Sequence, residues 1–257
     1  MKKLGLMLVM TSLLVGCTST SETNEVTSWS ESLIQENVIS IGVAPDYPPY
    51  ESLSATGELE GFDIDFMNAV LEAINENNDG EYTIEWVQLE FSTIITSMQM
   101  GQLDLGVSGF TYDEERDVLF STPYIDSSTL VVTNASSEIK SLADLEGKVI
   151  GAQLGSTGEA AAKEIANAEV IGVGNVNILM ESLKTNAYDA VVLDQGVAMS
   201  YVENAGFVLI DEALIDDSMY VVAKTDKTLL MDEINAAIET VKASDKYQEL
   251  LEKWGLK

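Results

Sequence analysis

The sequence contains no histidine and only one cysteine, Cys17. Histidine is the commonest general base and a frequent zinc ligand, so a Ser-His-Asp triad and most zinc sites are excluded. A lone cysteine cannot form a disulfide bond within the chain. These absences favour a binding protein over an enzyme, and we expect no catalytic residue, no metal site and no cofactor.

Basic residues are also scarce. Lysine and arginine together number 13 against 43 acidic residues, which gives a formal net charge of −30. Binding to phosphates requires clustered lysine and arginine, so nucleic acid is excluded as a partner. An excess of negative charge is typical of a soluble surface. Arginine occurs once in the whole chain, at Arg116.

The first residues have the features of a targeting segment. Lys2 and Lys3 precede an apolar run at residues 4–15, which has the length of a signal-peptide core and is short for a membrane span. Residues 14–17 (Leu-Val-Gly-Cys) resemble the bacterial lipobox, in which the cysteine is acylated. We expect residues 1–17 to be a lipoprotein signal peptide with Cys17 as the lipidation site and the membrane contact limited to this anchor. An ordinary signal peptide with an incidental cysteine is the alternative.

The next segment, residues 18–37, is rich in serine, threonine, glutamate and asparagine and has no apolar period. This composition predicts a flexible tether, although Trp29 is unexplained by it. Hydrophobic runs recur from residue 38, and none of them is long enough to span a membrane. About 220 residues remain, enough for one large or two small domains. We expect the protein to be extracytoplasmic and held at the cell surface or in the periplasm.

Strand-like and helix-like segments alternate along this remaining part, which predicts an α/β fold with mostly parallel sheets. Strands are predicted at residues 38–43, 82–87, 103–107, 129–132, 149–152, 170–173, 190–193, 207–210 and 218–223. Helices are predicted after residues 61–65, from Ser92 to Met100, near Leu142, from Thr157, at 228–241 and at 244–254. Periodicity alone leaves open whether the strands form one large sheet or two small ones.

Arg116 is a candidate carboxylate-binding residue. It follows a strand and a glycine-containing turn at residues 108–111 (Ser-Gly-Phe-Thr). The planar guanidinium group matches a carboxylate with two parallel hydrogen bonds, which lysine cannot reproduce. The alternative is a surface ion pair with Glu114, Glu115 or Asp117.

Two further polar positions follow predicted strands. Residues 155–158 (Gly-Ser-Thr-Gly) open a helix, where free N–H groups favour an anion, although plain capping by Ser156 or Thr157 is the commoner use. Asp194 ends the strand at residues 190–193. In parallel α/β sheets, ligands bind beyond the carboxyl ends of the strands, so this carboxylate could hold an ammonium group. A helix N-cap is the alternative.

Two aromatic residues also stand at strand ends. Tyr47 lies in a proline-rich loop after the first strand, and Phe91 follows the strand at residues 82–87. They could sandwich the side chain of a ligand, although burial in the core is the default. Together with the polar residues they describe an amino-acid clamp, with Arg116 and Thr157 for the carboxylate and Asp194 for the ammonium group.

Five segments in this order resemble the extracellular solute-binding proteins of family 3, the polar amino-acid binders of ABC importers. The resemblance runs from residue 38 to the last residue. The segments are residues 41–50 (IGVAPDYPPY), 61–65 (GFDID), 109–124 (GFTYDEERDVLFSTPY), 147–158 (GKVIGAQLGSTG) and 189–194 (DAVVLD).

This resemblance implies a two-lobed, periplasmic-binding-protein-like fold of type II, with two αβ lobes joined by two crossover strands. The first lobe would hold residues 38–127 and 217–257, and the second residues 130–214. The implied ligand site consists of Tyr47, Phe91, Gly109, Thr111, Arg116, Ser156, Thr157 and Asp194, and Gln153 could offer an amide at the pocket wall. The implied partners are a free amino acid and an ABC transporter permease, and we expect a monomer.

The side chain of the ligand is less well defined. Family members that bind basic or amide side chains often have a carboxylate three residues before the stacking aromatic, and this position is Ala44 here. Asp46 and Glu90 could supply a substitute charge, which favours a polar or basic amino acid. A dehydratase on the same fold and a ligand-sensing domain are the alternative functions.

Overall fold

The computed structural model describes residues 28–78 and 80–257. The predicted signal peptide, Cys17 and the first part of the predicted tether lie outside these residues. The helices are α1 (Phe62–Asn77), α2 (Phe91–Gln99), α3 (Thr157–Lys163), α4 (Val176–Lys184), α5 (Gln195–Ala205), α6 (Thr228–Lys242) and α7 (Asp245–Lys253). The strands are β1 (Val38–Val43), β2 (Asp46–Tyr47), β3 (Glu51–Leu53), β4 (Leu59–Glu60), β5 (Thr83–Gln88), β6 (Leu105–Gly106), β7 (Leu119–Phe120), β8 (Ile125–Asn134), β9 (Val149–Gln153), β10 (Glu169–Val173), β11 (Ala190–Asp194), β12 (Phe207–Leu209), β13 (Ile215–Met219) and β14 (Val222–Ala223).

The strands form two separate main sheets. The first has the order β5-β1-β6-β14-β7, and the second has the order β10-β9-β11-β8-β12 with β13 paired to β8. Strands β1, β5 and β6 are parallel, as are β9, β10 and β11. The alternation read from the sequence therefore corresponds to two sheets, each with its own helices. We call the unit around the first sheet the first lobe and the other the second lobe.

The chain crosses between the lobes in β8 and β13. These two strands pair with each other in antiparallel register, with Ile215 opposite Thr129 and Met219 opposite Ile125. Two hydrogen-bonded crossover strands, side by side, therefore connect the lobes. The lobe limits read from the sequence, at residues 127–130 and 214–217, fall in or beside these strands.

Helix α1 shows how the sequence builds the first lobe. Gly61 precedes it with a φ of 143°, and a Cβ there would lie 2.0 Å from the carbonyl oxygen of Tyr50, so only glycine fits. Phe62 and Phe66, four residues apart on one helical face, are fully buried and both stack on Tyr124. This packing fixes the position of the acidic residues in the first turn of the helix.

Three predicted element boundaries differ in the structure. Residues 218–223 form the end of β13 and the whole of β14, because β13 pairs with β8 while β14 pairs with β6 and β7. The strand predicted at 103–107 has only two paired residues. Helix α2 begins at Phe91, one residue before the start predicted at Ser92, and Glu90 is its N-cap. The small sheet β2-β3-β4 was not predicted, since prolines 48 and 49 obscure its alternation.

The predicted tether needs correction over its last residues. A 3-10 helix at Trp29–Ser32 packs on the first lobe, where Trp29 is 9% exposed and its ring lies 4.5 Å from that of Tyr82. The N–H of Ile34 donates to the buried carboxylate of Asp104 at 3.1 Å. Residues 29–34 therefore belong to the folded first lobe and not to a tether. Burial explains the tryptophan that the tether composition left unexplained.

Replacing Trp29 by alanine should lower the free energy of unfolding by about 2–4 kcal/mol, since a large aromatic side chain leaves a packed surface. Urea denaturation of the ligand-free protein measures this. Met100→Ala is the matched control, because that side chain is 69% exposed and its removal should cost less than about 0.5 kcal/mol. Equal effects for the two variants would contradict the packing of the N-terminal segment.

Within the described residues, no helix combines the length and the apolar character needed to cross a membrane.

Candidate ligand-binding site

The predicted site residues converge on the cleft between the lobes. Eight of the nine line one cavity. They are Tyr47, Phe91, Gly109, Thr111, Gln153, Ser156, Thr157 and Asp194. Most of them stand at the carboxyl ends of strands or in the turns that follow, which is where ligands bind in parallel α/β sheets. Thr129, Gly158, Val192 and Leu193 complete the lining.

Asp194 of the second lobe and Tyr47 of the first lobe meet across the cleft. The Tyr47 hydroxyl donates to Oδ2 of Asp194 at 2.9 Å, and the backbone N–H of Asp194 donates to the same hydroxyl at 3.1 Å. Asp194 occupies the N-cap position of α5, but its side chain makes no capping hydrogen bond. The carboxylate therefore bonds across the cleft and does not cap the helix.

Burial disfavours the ionised form of the Asp194 carboxylate. Desolvation raises its pKa to about 7, against the opposing effect of the hydrogen bond from Tyr47. The hydroxyl of Thr129 donates to Oδ1 at 3.4 Å, and Asp217 adds an unfavourable negative charge. A positive group placed against this oxygen pair would favour the ionised form.

Arg116 lies against the site without lining the cavity itself. Its guanidinium donates to the carbonyl oxygen of Thr111 in the first lobe at 3.2 Å and of Gly155 in the second lobe at 3.0 Å. The group also stands over the rings of Phe110 and Phe91, at 5.4 and 5.8 Å from their centroids. Arg116 thus donates hydrogen bonds to both lobes while its guanidinium group lies over two aromatic rings. This combination of contacts requires a planar cation.

The alternative role of Arg116, a surface ion pair with its sequence neighbours, has little support in the structure. Its Nε lies 3.7 Å from the carboxylate of Asp113, and none of the neighbours expected from the sequence forms an ion pair with it among the described residues. Burial lowers the pKa of the guanidinium, and the acidic groups Asp113, Asp217 and Asp194 oppose this shift. A buried cation with one long ion pair retains donor capacity for an anion in the cleft.

The two hydroxyl residues at the start of α3, Ser156 and Thr157, have different roles. Ser156 caps α3, because its hydroxyl accepts the N–H of Glu159 at 3.0 Å, and the N–H of Gly155 is bound to the Glu159 carboxylate at 2.7 Å. The capping alternative therefore holds for Ser156. The hydroxyl of Thr157 instead faces the first lobe and lies 2.5 Å from that of Thr111. Two hydroxyls from opposite lobes thus meet beside the arginine.

A second, larger cavity is lined by residues of both lobes. It has a volume of about 610 Å³ and is lined by Pro45, Asp46, Pro48, Ser52, Leu53, Leu89, Glu90, Gly174, Asn175 and Asn177. Asp46 and Glu90 are the sequence neighbours of Tyr47 and Phe91, although the two cavities share no lining residue.

Asp46 links the lobes at this cavity. Its Oδ2 accepts the backbone N–H of Val176, at the start of α4 in the second lobe, at 2.8 Å. Its Oδ1 is buried and has no hydrogen-bond partner in the described part of the chain. Desolvation raises its pKa, and the charge of Glu90 adds to the rise. Ala44 is buried in the core beside Phe91.

The family of the chain can now be stated. The sequence model of the bacterial extracellular solute-binding proteins, family 3, matches residues 39–257. The chain belongs to this family. The match covers the second lobe and all but the N-terminal segment of the first, and the fold expected from the five motifs is confirmed as well.

Curated members of the family resemble this solute-binding protein over nearly their full length. It is 29% identical over 263 residues to the arginine-binding extracellular protein ArtP of Bacillus subtilis, covering 99% of this chain and 98% of that protein. It is 31% identical over 251 residues to a probable histidine-binding protein of Campylobacter jejuni, covering 95% and 93%. Among solved structures, an ancestral arginine-binding protein bound to arginine superposes with a TM-score of 0.78 at 32% identity, covering 85% and 98%.

Several residues that line the cleft were not predicted from the sequence. Thr129 and Val192 lie on β8 and β11, strands that were predicted, but nothing in a buried strand marks which of its residues faces a cleft. The link between Asp46 and Val176 joins residues 130 positions apart. An acidic residue beside the aromatic loop was the only signal that could have pointed to this link.

Proposed function

We propose that this solute-binding protein captures a free L-amino acid with a positively charged side chain and delivers it to the permease of an ABC importer. The observation that carries the proposal is the placement of Arg116 and Asp194 at one narrow cleft between the lobes. An amino acid presents a carboxylate and an ammonium group on adjacent atoms. These two side chains have the complementary charges and can bind both groups at once.

Ligand binding would be coupled to lobe closure. Tyr47, Thr111 and Arg116 belong to the first lobe, while Thr157 and Asp194 belong to the second. With the lobes apart, neither half can satisfy both charges of an amino acid, so the ligand stabilises the closed arrangement selectively. The closed shape would be the form that the permease recognises.

The side-chain preference rests on the second cavity. Asp46 and Glu90 border it, with the amides of Asn175 and Asn177 opposite. The unpartnered Oδ1 of Asp46 is an acceptor that a guanidinium, ammonium or imidazolium group would satisfy. These residues would take the part of the carboxylate that Ala44 does not supply. The binding specificities in the names of the relatives, arginine and histidine, agree with this preference.

Calorimetric titration of the chain from residue 18 onward tests the proposal. The protein is unfolded and refolded to remove any bound solute, and is then titrated with each standard amino acid and with citrulline. Citrulline matches arginine in shape but carries no side-chain charge. We expect one-to-one binding, with arginine, lysine or histidine tightest and citrulline at least about tenfold weaker than arginine. No binding across the panel would refute the amino-acid site, and equal binding of citrulline and arginine would refute the charge preference.

Removing the negative charge of Asp46 at the second cavity should change the ligand selectivity while the protein stays folded. We expect Asp46→Asn to weaken arginine binding about tenfold more than citrulline binding, because the weaker link to Val176 affects both ligands and only arginine also loses a charge-assisted hydrogen bond from its side chain. Titration of both ligands measures the ratio. Glu58→Gln, an exposed change in the same part of the first lobe, is the control. An unchanged ratio in Asp46→Asn would contradict the assignment of this cavity to the ligand side chain.

Membrane attachment, oligomeric state and the absence of catalysis complete the proposal. We expect acylation of Cys17 to anchor a monomer at the outer face of the cell membrane. A Cys17→Ser variant should then appear in the soluble extracellular or periplasmic fraction, and light scattering should give the mass of one chain. Recovery of the bound amino acid in unaltered form, by mass spectrometry, would separate a binder from a dehydratase.

A further inference from the structure

Two acidic residues of the first lobe that line neither cavity are buried. Glu51 on β3 and Asp63 in the first turn of α1 are both 0% exposed. Neither belongs to any ion pair found in the described part of the chain. A buried carboxylate without a cation is strongly destabilising, so two of them together favour the uptake of a proton.

The hydrogen bonds of the pair define where that proton lies. The Ser108 hydroxyl donates to Oε1 of Glu51 at 2.8 Å, and the Tyr124 hydroxyl donates to Oδ2 of Asp63 at 2.8 Å. The other oxygens, Glu51 Oε2 and Asp63 Oδ1, are buried and receive no hydrogen bond from another group among the described residues. The backbone N–H of Asp63 donates to the carbonyl oxygen of Tyr50, the residue before Glu51, at 2.9 Å, so the two acidic residues stand on adjacent stretches of backbone. A hydrogen bond between their two unpartnered oxygens requires one proton.

The surroundings place this proton on Glu51. Asp63 stands at the start of a sixteen-residue helix and accepts the tyrosine hydroxyl, and both features favour its ionised form. Burial raises the pKa of Asp63 to about 6, whereas burial and the neighbouring charge of Asp63 raise the pKa of Glu51 well above its usual value. The other groups acting on the pair bring no positive charge, since they are Asp46 on β2 and the buried phenols of Tyr50 and Tyr124.

We propose that Glu51 and Asp63 share one proton and that this pair is a positioning element for the ligand site. Ser108, which donates to Glu51, also accepts the backbone N–H of Ala44 at 3.2 Å. It thereby joins the ends of β1 and β6, and the next residue, Gly109, lines the ligand cavity. Tyr124, on the other carboxyl group, directly precedes the crossover strand β8. The pair thus connects the turn at Ser108 and Gly109 to the crossover strand β8.

The shared proton makes the stability of the ligand-free protein depend on pH. In the unfolded chain Glu51 ionises near pH 4.5, and in the folded protein it ionises at a much higher pH. Between these values the folded state holds a proton that the unfolded state has lost, so stability falls as the pH rises. Loss of the proton in the folded state leaves two adjacent buried negative charges.

Thermal unfolding of the ligand-free protein between pH 5 and pH 9 tests this dependence. Glu51→Gln supplies an amide that can accept from Ser108 and donate to Asp63 with no titrating proton. The control is Glu60→Gln, the same change at an exposed position of the neighbouring strand β4. We expect the Tm of the wild type and of the control to fall in parallel as pH rises, and that of Glu51→Gln to fall less steeply. Parallel curves for all three proteins would overturn the shared proton.

Carboxyl carbon NMR of the wild-type protein tests the same point without a variant. We expect a glutamate carboxyl signal with the chemical shift of the protonated acid at pH 7, where exposed glutamates are ionised. If every glutamate signal has the ionised shift at that pH, the proposal is overturned.

Hydrogen exchange tests the positioning role. In Glu51→Ala, the amides of the peptide that covers residues 105–112 should exchange about tenfold faster or more than in the wild type, because Ser108 loses its acceptor. The glutamine variant should restore slow exchange in that peptide. Unchanged exchange in the alanine variant would show that the pair does not hold the turn.

Discussion

Replacing Arg116 by alanine should weaken amino-acid binding about a hundredfold or more. Among the described residues that line or adjoin this cleft, the guanidinium is the cation that can match a carboxylate, and each charge-assisted hydrogen bond contributes about 1.5–3 kcal/mol. The side chain also holds the carbonyl oxygens of Thr111 and Gly155 in place from both lobes. Calorimetric titration with L-arginine measures the loss.

Loss of packing could produce a similar result, because Arg116 rests on Phe91 and Phe110. Arg116→Lys separates the two causes, since lysine keeps the charge and most of the stem but lacks the planar fork. We expect this variant to remain folded and to lose about tenfold or more in affinity. Lys184→Ala removes an exposed cation from the second lobe and is the control. Wild-type affinity in Arg116→Lys would refute bidentate carboxylate binding, and wild-type affinity in Arg116→Ala would remove this residue from the site.

Replacing Asp194 by asparagine should weaken binding by a similar factor, because the ammonium group of the ligand loses its anionic partner. Asparagine is nearly isosteric and its carbonyl oxygen can still accept the Tyr47 hydroxyl, so the fold should be retained. The ligand-free variant should also lose less stability than the wild type as the pH rises. The reason is that Asp194, with a pKa of about 7 in the folded protein, holds a proton that the unfolded chain loses near pH 4.

The pH dependence of binding gives a second signature of Asp194. An ammonium group prefers the ionised carboxylate, so below pH 7 binding must expel a proton and the affinity falls, by up to about tenfold per pH unit. The protein has no histidine, so no imidazole contributes to a titration between pH 5 and pH 8. We expect Asp194→Asn to flatten the dependence of L-arginine affinity on pH in this range. Asp211→Asn, an exposed change in the same lobe, should follow the wild type. A wild-type slope in Asp194→Asn would assign the titration to another group.

Much of the site could be predicted because its residues stand at strand ends. Tyr47, Phe91 and Asp194 each lie at or just beyond a strand that hydrophobic runs make visible. The carboxyl ends of parallel strands gather at one edge of a sheet, so residues distant in sequence become neighbours. The composition pointed the same way, since a single arginine and no histidine leave few ways to bind a carboxylate and few ways to catalyse a reaction.

Other features could not be predicted because they depend on contacts between distant parts of the chain. Ser156 and Thr157 are adjacent hydroxyl residues, yet one caps a helix and the other faces the opposite lobe. The contact of Trp29 with Tyr82 gives structure to a segment whose composition is that of a tether. Local sequence carries no information on which partner a polar or aromatic side chain will meet across a packed interface.

The sequence by itself determined the α/β class, the order of most elements, the family and eight of the residues that line the cleft. Only the tertiary structure decided that Arg116 lies behind the cavity on an aromatic base, that Asp46 joins the lobes, and that Glu51 and Asp63 meet without a cation. The first group depends on periodicity and on motifs that short segments carry. The second depends on burial, which sets the cost of a charge and the choice of its partner, and burial arises only when distant segments pack together.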